Sequence, residues 1–276
     1  MPSHILLRTP ELTLGQFECA PGDPLWDEVN TNMGAWPHVV FPRTPVLIAQ
    51  EGAWPALVTP NHVVFYKPHQ LYSRALRDPR GDRCLWLEVS PELWCAPEAP
   101  AGPCDAGTYL LAVALPRHLA QEPVPDRLLA EEAALTLLRA GAVAPLRVAG
   151  RARTRRDHAE LAEAAKEWLA AHAHEPLSLA AVARALYVSP FHLARVFRAR
   201  TGFSLTDYVH GLRLRGAVER LADEPGVELS RLALELGYCS PSHFSDRFRA
   251  AFGAPPSALR GTELRTIVEA RAAAAA

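Results

Sequence analysis

The sequence predicts a two-domain α+β protein, with a small β-barrel or sandwich first and an all-α domain of two helix-turn-helix units second. Three observations carry this. SPFHLARVFRARTG recurs fifty-one residues later as SPSHFSDRFRAAFG, so that Ser189, Pro190, His192, Phe197, Arg198, Ala199 and Gly202 match Ser240, Pro241, His243, Phe248, Arg249, Ala250 and Gly253. A fixed internal period sets architecture before any finer reading. Composition also shifts: 19 of 25 prolines and five of six tryptophans precede residue 151. Finally, residues of about 4–115 carry short β-branched and aromatic runs between turn residues.

The β half comes first. HVVFP, PVLIAQ, NHVVFY, QLYSRAL and RCLWLEVS are each bounded by Pro, Gly, Asn or Asp, a spacing that suits a small barrel or sandwich. RCLWLEVS alternates, with Leu85, Leu87 and Val89 facing one way and Cys84, Trp86 and Glu88 the other. Helical periodicity follows over about 125–141, with Leu128, Leu129, Leu135 and Leu138 available to one face and Gly141 as a stop. Residues 142–156 read as a linker that turns basic at its end. Its Arg151, Arg153, Arg155 and Arg156 fit either a hold on DNA or a solvated run.

Helices are then expected at about 158–173, 178–186, 190–201, 204–222, 228–236, 241–252 and 255–260, before a low-complexity RAAAAA end that should fray. Ser189 and Ser240 are N-caps, and Pro190 and Pro241 stand where a missing N–H does no harm. Gly202 and Gly253 sit where a helix end needs a left-handed residue. Leu193, Phe197 and Thr201, like Phe244, Phe248 and Phe252, fall on a stripe that should be buried. Phe191, Ala194, Arg195 and Arg198, and Ser242, Ser245, Asp246 and Arg249, fall on stripes that should be exposed. Two reading heads in one chain suggest duplex DNA.

Charge is distributed to match. The net charge is −1, but residues 1–150 hold 11 basic and 16 acidic residues and residues 151–265 hold 17 and 13. A basic balance on the second domain fits nucleic acid, and fits a solvated helical surface as well. The five cysteines are irregularly spaced with no CxxC, and no apolar run reaches 18 residues. A cytoplasmic chain with reduced thiols and no membrane partner is therefore expected.

Residues 158–262 resemble the DNA-binding domain of AraC/XylS-type transcriptional regulators. The resemblance rests on LALELGYCSPSHFSDRFRAAFGAPPSALRG, on LSLAAVARALYVSPFHLARVFRARTGFSL, and on the Arg213 and Ala217 pair between them. It implies two recognition helices in adjacent major grooves, with RNA polymerase as a further partner. The family's base-reading positions fall on Phe191, Ala194, Arg195 and Arg198 in the first helix, and on Ser242, His243, Ser245 and Asp246 in the second. Arg195 suits guanine, and Phe191 and Ala194 suit a thymine methyl. Arg198, Arg249, His192 and His243 suit phosphates. Two departures stand out. Asp246 puts a carboxylate on the second head, where it accepts from cytosine or weakens binding. Tyr187 stands where the second unit has Gly237, so the first turn is expected to differ in conformation.

The β half resembles, through its GDP, FYKP and GDRC segments, the cupin-like sensor domain of such regulators. This implies a small-molecule effector, for which Trp36, His38, Tyr66, Tyr72, Arg74 and Trp86 are the candidates, each also readable as a packing aromatic or surface group. The paired His and carboxylate of a cupin metal site are absent, and His62 and His69 are seven apart. No cofactor, metal or catalytic residue is expected. A thiol- or metal-responsive regulator using Cys84, Cys95 and Cys104, or a cupin-type enzyme, are the alternatives. The domain boundaries expected are 1–120 for the sensor, 121–157 for a helical dimerisation or coupling segment, 158–262 for the DNA-binding domain with units at about 178–201 and 228–252, and 263–276 for a tail. A homodimer is an expected partner state, and Leu128, Leu135 and Leu138 are placed at a subunit or domain contact, with packing of this helix on its own barrel as the alternative.

Overall fold

The alternation in RCLWLEVS makes a strand with two unlike faces, β9 (Asp82–Val89), near the middle of the larger sheet. Leu85, Leu87 and Val89 are fully buried, whereas Cys84, Trp86 and Glu88 are half-buried. On one side β9 pairs with β2 (Leu12–Cys19), and on the other with β4 (His38–Pro42), both antiparallel. With β1 (Ser3–Arg8), β7 (His62–Tyr66) and β10 (Ala101–Pro103) the order is β1-β2-β9-β4-β7-β10. The smaller sheet runs β3-β8-β5-β6, from β3 (Thr31–Asn32), β8 (Leu71–Leu76), β5 (Val46–Gln50) and β6 (Ala56–Val58). The runs HVVFP and HVVFY are buried at every position. That is what a continuous apolar run, as opposed to an alternating one, requires.

This is a computed structural model, and it describes residues 3–26, 31–94, 96–97, 99–121, 126–141, 152–224, 226–259 and 264–275. Two compact units divide the chain: Met1–Pro145 with Glu263–Ala276, and Leu146–Thr262. In the first, Val40, Val64 and Tyr66 of the larger sheet meet Val46, Ile48 and Val58 of the smaller in one core. Among the described residues no strand of one sheet pairs with the other, so the expected barrel is not closed. The edge strands β3 and β6 have two and three residues, too short to carry a ladder across.

Three helices complete this unit and revise the reading of its sequence. Helix α1 (Ala106–Gln121) begins inside the stretch expected to be strands. Its TYLLAVAL run is buried almost all round, so it shows no helical period to read. Asp105 caps it, accepting from Thr108 N at 3.0 Å. In α2 (Arg127–Gly141), Leu129 and Leu138 are buried, whereas Leu128 is 76% exposed. Leu128 therefore does not share their face, and Leu138 packs within its own unit.

Most of the expected tail, 263–276, is helix α10 (Leu264–Ala275), which packs on α1 and α2 and runs into the RAAAAA end expected to fray. Leu264, Ile267 and Val268 are buried at i, i+3, i+4 spacing. Arg271 donates to both Asp105 oxygens, at 2.7 and 3.1 Å, and Arg265 to Asp126 at 3.0 Å.

The second unit is all helix: α3 (Ala152–Ala171), α4 (Leu179–Ala185), α5 (Pro190–Thr201), α6 (Leu205–Asp223), α7 (Leu229–Glu235), α8 (Pro241–Phe252) and α9 (Pro256–Leu259). The expected linker is helical from Ala152 onward. Arg151 and Cys95 lie outside the described residues, as do the side chains of Arg153 and Arg155, while Arg156 pairs with Glu160 at 2.9 Å. Ala165, Leu169, Val182, Leu193, Phe197 and Tyr208 build one core around the first helix-turn-helix unit. Phe244 and Phe248, both fully buried, anchor the second.

Candidate functional site

The repeated S-P at the head of α5 and α8 sets both helices in the same register. Ser189 Oγ accepts from His192 N at 3.2 Å, and Ser240 Oγ from His243 N at 3.1 Å. Gly202 and Gly253 close the helices at φ of 78° and 76°. Burial then follows the predicted stripes. Leu193, Phe197 and Thr201 are buried, as are Phe244 and Phe248, with Phe252 half-buried. On the outward face of α5, Phe191, Arg195 and Arg198 are exposed and His192 and Ala194 half-buried. On α8, Ser242, Asp246 and Arg249 are exposed and His243 and Ser245 half-buried. Arg195 Nη2 lies 3.4 Å from His192 Nδ1, and Cys239 Sγ 3.4 Å from His243 Nδ1.

The two turns share one conformation, contrary to the expectation raised by Tyr187. Its φ is 56°, against 76° at Gly237. Val188 N donates to Ala183 O at 3.0 Å, and Tyr238 N to Ala233 O at 2.9 Å. Tyr187 is tolerated because its side chain is 96% exposed, so only the backbone cost of a left-handed residue remains. Gly237 has no such freedom. A Cβ there would stand 2.5 Å from the His174 carbonyl oxygen and 3.0 Å from Arg213 Nη2.

Arg213 is the reason that corner is full. From the middle of α6 it donates through Nε to Ala173 O at 2.6 Å, through Nη2 to Glu175 O at 2.6 Å and through Nη1 to Gly237 O at 2.7 Å. One buried guanidinium thus ties the end of α3 to the turn of the second unit. Nearby lies a concavity of about 530 Å³, lined by Ala194, Arg198, His210, Arg213, Cys239 and His243 among others. It brings together residues of α5 and α8. Burial first, and then Arg247 and Arg213, pull the His210 pKa down to about 4, so this ring is neutral at physiological pH.

In the first unit a cavity of about 200 Å³ lies between the two sheets. His38, Tyr66, Tyr72, Arg74 and Trp86 line it, while Trp36 does not. The rest of its wall is mostly apolar, from residues such as Met33, Val46, Ile48 and Val58. Burial lowers the His38 pKa and pushes the Cys84 thiol well above its ordinary range, which keeps Cys84 from being a thiolate. Cys19 and Cys104 are buried and Cys84 is half-buried, and among the described residues no group of His, Cys, Asp and Glu is placed to hold a metal ion. His62 is committed within its strand end, its Nδ1 accepting from Thr59 N at 3.1 Å, and His69 lies outside that strand at φ of 58°. No helix among the described residues is long and apolar enough to cross a membrane.

Comparison with known proteins bears on the helical unit. A family described as "Helix-turn-helix domain" matches residues 182–262. The regulatory protein SoxS of Salmonella typhimurium is 34% identical over 105 residues, which cover 37% of this chain and 95% of SoxS. The chain belongs to the AraC family of transcriptional regulators. The HTH-type transcriptional regulator GlxA of Rhizobium meliloti is 39% identical over 85 residues, 31% of this chain but only 26% of GlxA. Among solved structures, the C-terminal domain of AraT, a response regulator from Geobacillus stearothermophilus, is 28% identical with a TM-score of 0.35, covering 36% of this chain and 83% of that one.

Within this AraC-family unit the matched helices α5 and α8 are chemically unequal. Helix α5 carries Arg195, Arg198 and Arg200 and no acid, whereas α8 carries Arg247 and Arg249 with Asp246. Sequence reading noted Arg213 and overlooked His210. The signal for Arg213 was the resemblance alone, and its burial on α6, where a guanidinium demands hydrogen-bond partners, is what the structure adds.

Proposed function

We propose that this AraC-family regulator reads duplex DNA with α5 and α8 as unequal heads, and that a small molecule bound by its first unit modulates that reading without catalysis. The observation that carries the first part is Phe191. It is 80% exposed on the outward stripe of α5, beside Arg195 and Arg198. A large apolar side chain on an otherwise cationic surface calls for a partner with both apolar and anionic groups. The DNA major groove offers a thymine methyl between phosphates. In this reading Arg195 takes guanine O6 and N7, and Ser242, Ser245 and Asp246 read base edges from α8. Arg198, Arg249, His192 and His243 lie on phosphates, with the free N–H groups of the helix starts. The second part is supported by the cavity between the sheets.

Selection of binding sites from random duplex by the full chain tests the proposal. The expected consensus has two unlike half-sites about 10–10.5 bp apart, bound with affinity that falls steeply with salt. A single half-site would remove one head. Transcription from that operator, with and without a cell metabolite extract, tests the modulation. An extract without effect would remove that part.

A further inference from the structure

The first helix-turn-helix unit carries a polar contact that reaches it from another helix. On α3, Ala162, Ala165 and Leu169 are buried on one stripe, and Ala165 and Leu169 pack with Leu193 and Phe197 of α5. One turn before Ala162 the same stripe holds His158, a half-buried polar ring at the end of an apolar row. It meets the His192 imidazole of α5, with ring centroids 5.6 Å apart and planes at 63°. An edge-on contact of this kind restricts the ring it touches. His192 Nδ1 in turn accepts from Arg195 Nη2 at 3.4 Å. A guanidinium only donates, so this bond places the imidazole proton on Nε2. One edge of the His192 ring thus serves Arg195, and the other carries a donor.

The second unit shows that this chain of contacts is not a property of the motif. His243 stands at the matching position, but there Cys239 Sγ lies 3.4 Å from its Nδ1. The residue that matches Cys239 in the first unit is Val188, whose side chain has no donor to compete for Nδ1. The residue that matches Arg195 is Asp246, whose carboxylate has no proton to give.

We propose that His158 is a positioning residue for base reading by α5: it holds the His192 ring, and His192 aims Arg195 at its base pair while its Nε2–H meets a phosphate. This rests on the reading that α5 enters the major groove. The gain is pre-organisation. An exposed Arg gives up much rotamer freedom when it is fixed on a base, and one already held near its bound direction gives up less. At 3.4 Å the hold is longer than a strong hydrogen bond, so Arg195 exchanges it readily for the two acceptors of guanine. The same ring that aims Arg195 then stays anchored, through its other edge on the DNA backbone and through His158 on α3.

Competition of the full chain between its selected operator and single-base variants of that operator tests this. The readout is a ratio of affinities, so an unfolded fraction does not enter it. His158→Ala should relax preference at the base pair that Arg195→Ala relaxes, by about threefold to tenfold, and leave the other positions as they were. In an Arg195→Ala background the same change should have no further effect. His158→Phe keeps a ring against His192 and should restore the preference. Substitutions of His192 separate its two edges. In His192→Asn a carbonyl stands where Nδ1 stood, so base preference should persist while all sequences bind more weakly. In His192→Gln the amide stands nearer Nε2, so preference should relax and general affinity persist. A preference unchanged in His158→Ala, a loss shared equally by every sequence, or a loss that persists without Arg195 would overturn the proposal and leave α5 as a base reader. If Arg195→Ala itself relaxes no base pair, the reading of α5 falls, and the proposal with it.

Discussion

At the turn of the first helix-turn-helix unit Tyr187 holds φ at 56° in open solvent; at the turn of the second, Gly237 holds 76° beneath a carbonyl and a guanidinium. The hydrogen bonds that close the two turns are the same. What differs is the neighbour. The first turn projects from the surface, whereas the second is the point where Arg213 grips both the end of α3 and the Gly237 carbonyl. The caps differ in the same sense. Ser178 caps α4 by accepting from Ala181 N, but Glu228 makes no side-chain cap on α7. Both units pack on their neighbours, but only the second turn is tied directly to the end of α3 through Arg213 of α6. Identical backbones do not imply identical tolerance to substitution.

The comparison can be broken most severely at the cores. Phe197→Ala and Phe248→Ala should each cost about 3–5 kcal/mol, since both rings are fully buried. Melts followed by circular dichroism check this, and a midpoint unchanged in either would show that the buried stripe is misassigned. The turns come next. Gly237→Ala adds a left-handed backbone cost to a steric clash and should destabilise by about 2–4 kcal/mol. Tyr187→Gly should instead stabilise, by up to about 1 kcal/mol, because an exposed left-handed Tyr becomes a residue free of that cost. Denaturant midpoints for the pair should move in opposite directions.

Smaller effects separate the reading faces. Arg195→Ala should cost about 1–3 kcal/mol of operator binding and relax preference at one base pair, whereas Arg249→Ala should weaken all sequences alike and reduce the salt slope by about one. Competition against single-base operator variants distinguishes the two. The smallest expected effect is Asp246→Asn, which removes the one carboxylate of α8. It should tighten binding to non-operator DNA by about 1 kcal/mol or less while losing the acceptor for cytosine N4. An operator-to-random affinity ratio unaffected by this change would show that Asp246 takes no part in reading.

Most of the helical unit was legible in the sequence. The S-P starts, the Gly stops and the Phe stripes place α5 and α8 at their observed ends, because caps and periodicity are local properties. The β half was legible where strands alternate or run apolar between turns, as in Asp82–Val89 and His62–Tyr66. It was illegible at α1, whose all-round apolar surface erases its period, and at α10, whose polyalanine end masks Leu264, Ile267 and Val268.

By itself the sequence determined that two matched helices, α5 and α8, exist, which face of each is buried, and which side chains each presents. These follow from contacts within about one helical turn and from residue chemistry. The conformation of the Tyr187 turn was not determined in this way, since a local cost of about 1–2 kcal/mol argued against it and the packing of α4 against α5 prevailed. Nor was the closing of the first unit by α10, whose Arg271 reaches an Asp105 that lies 166 residues earlier. The burial of Arg74 beside Asp82 likewise belongs to the tertiary structure. Burial of a long cation depends on what two sheets place around it, and no spacing along the chain encodes that enclosure.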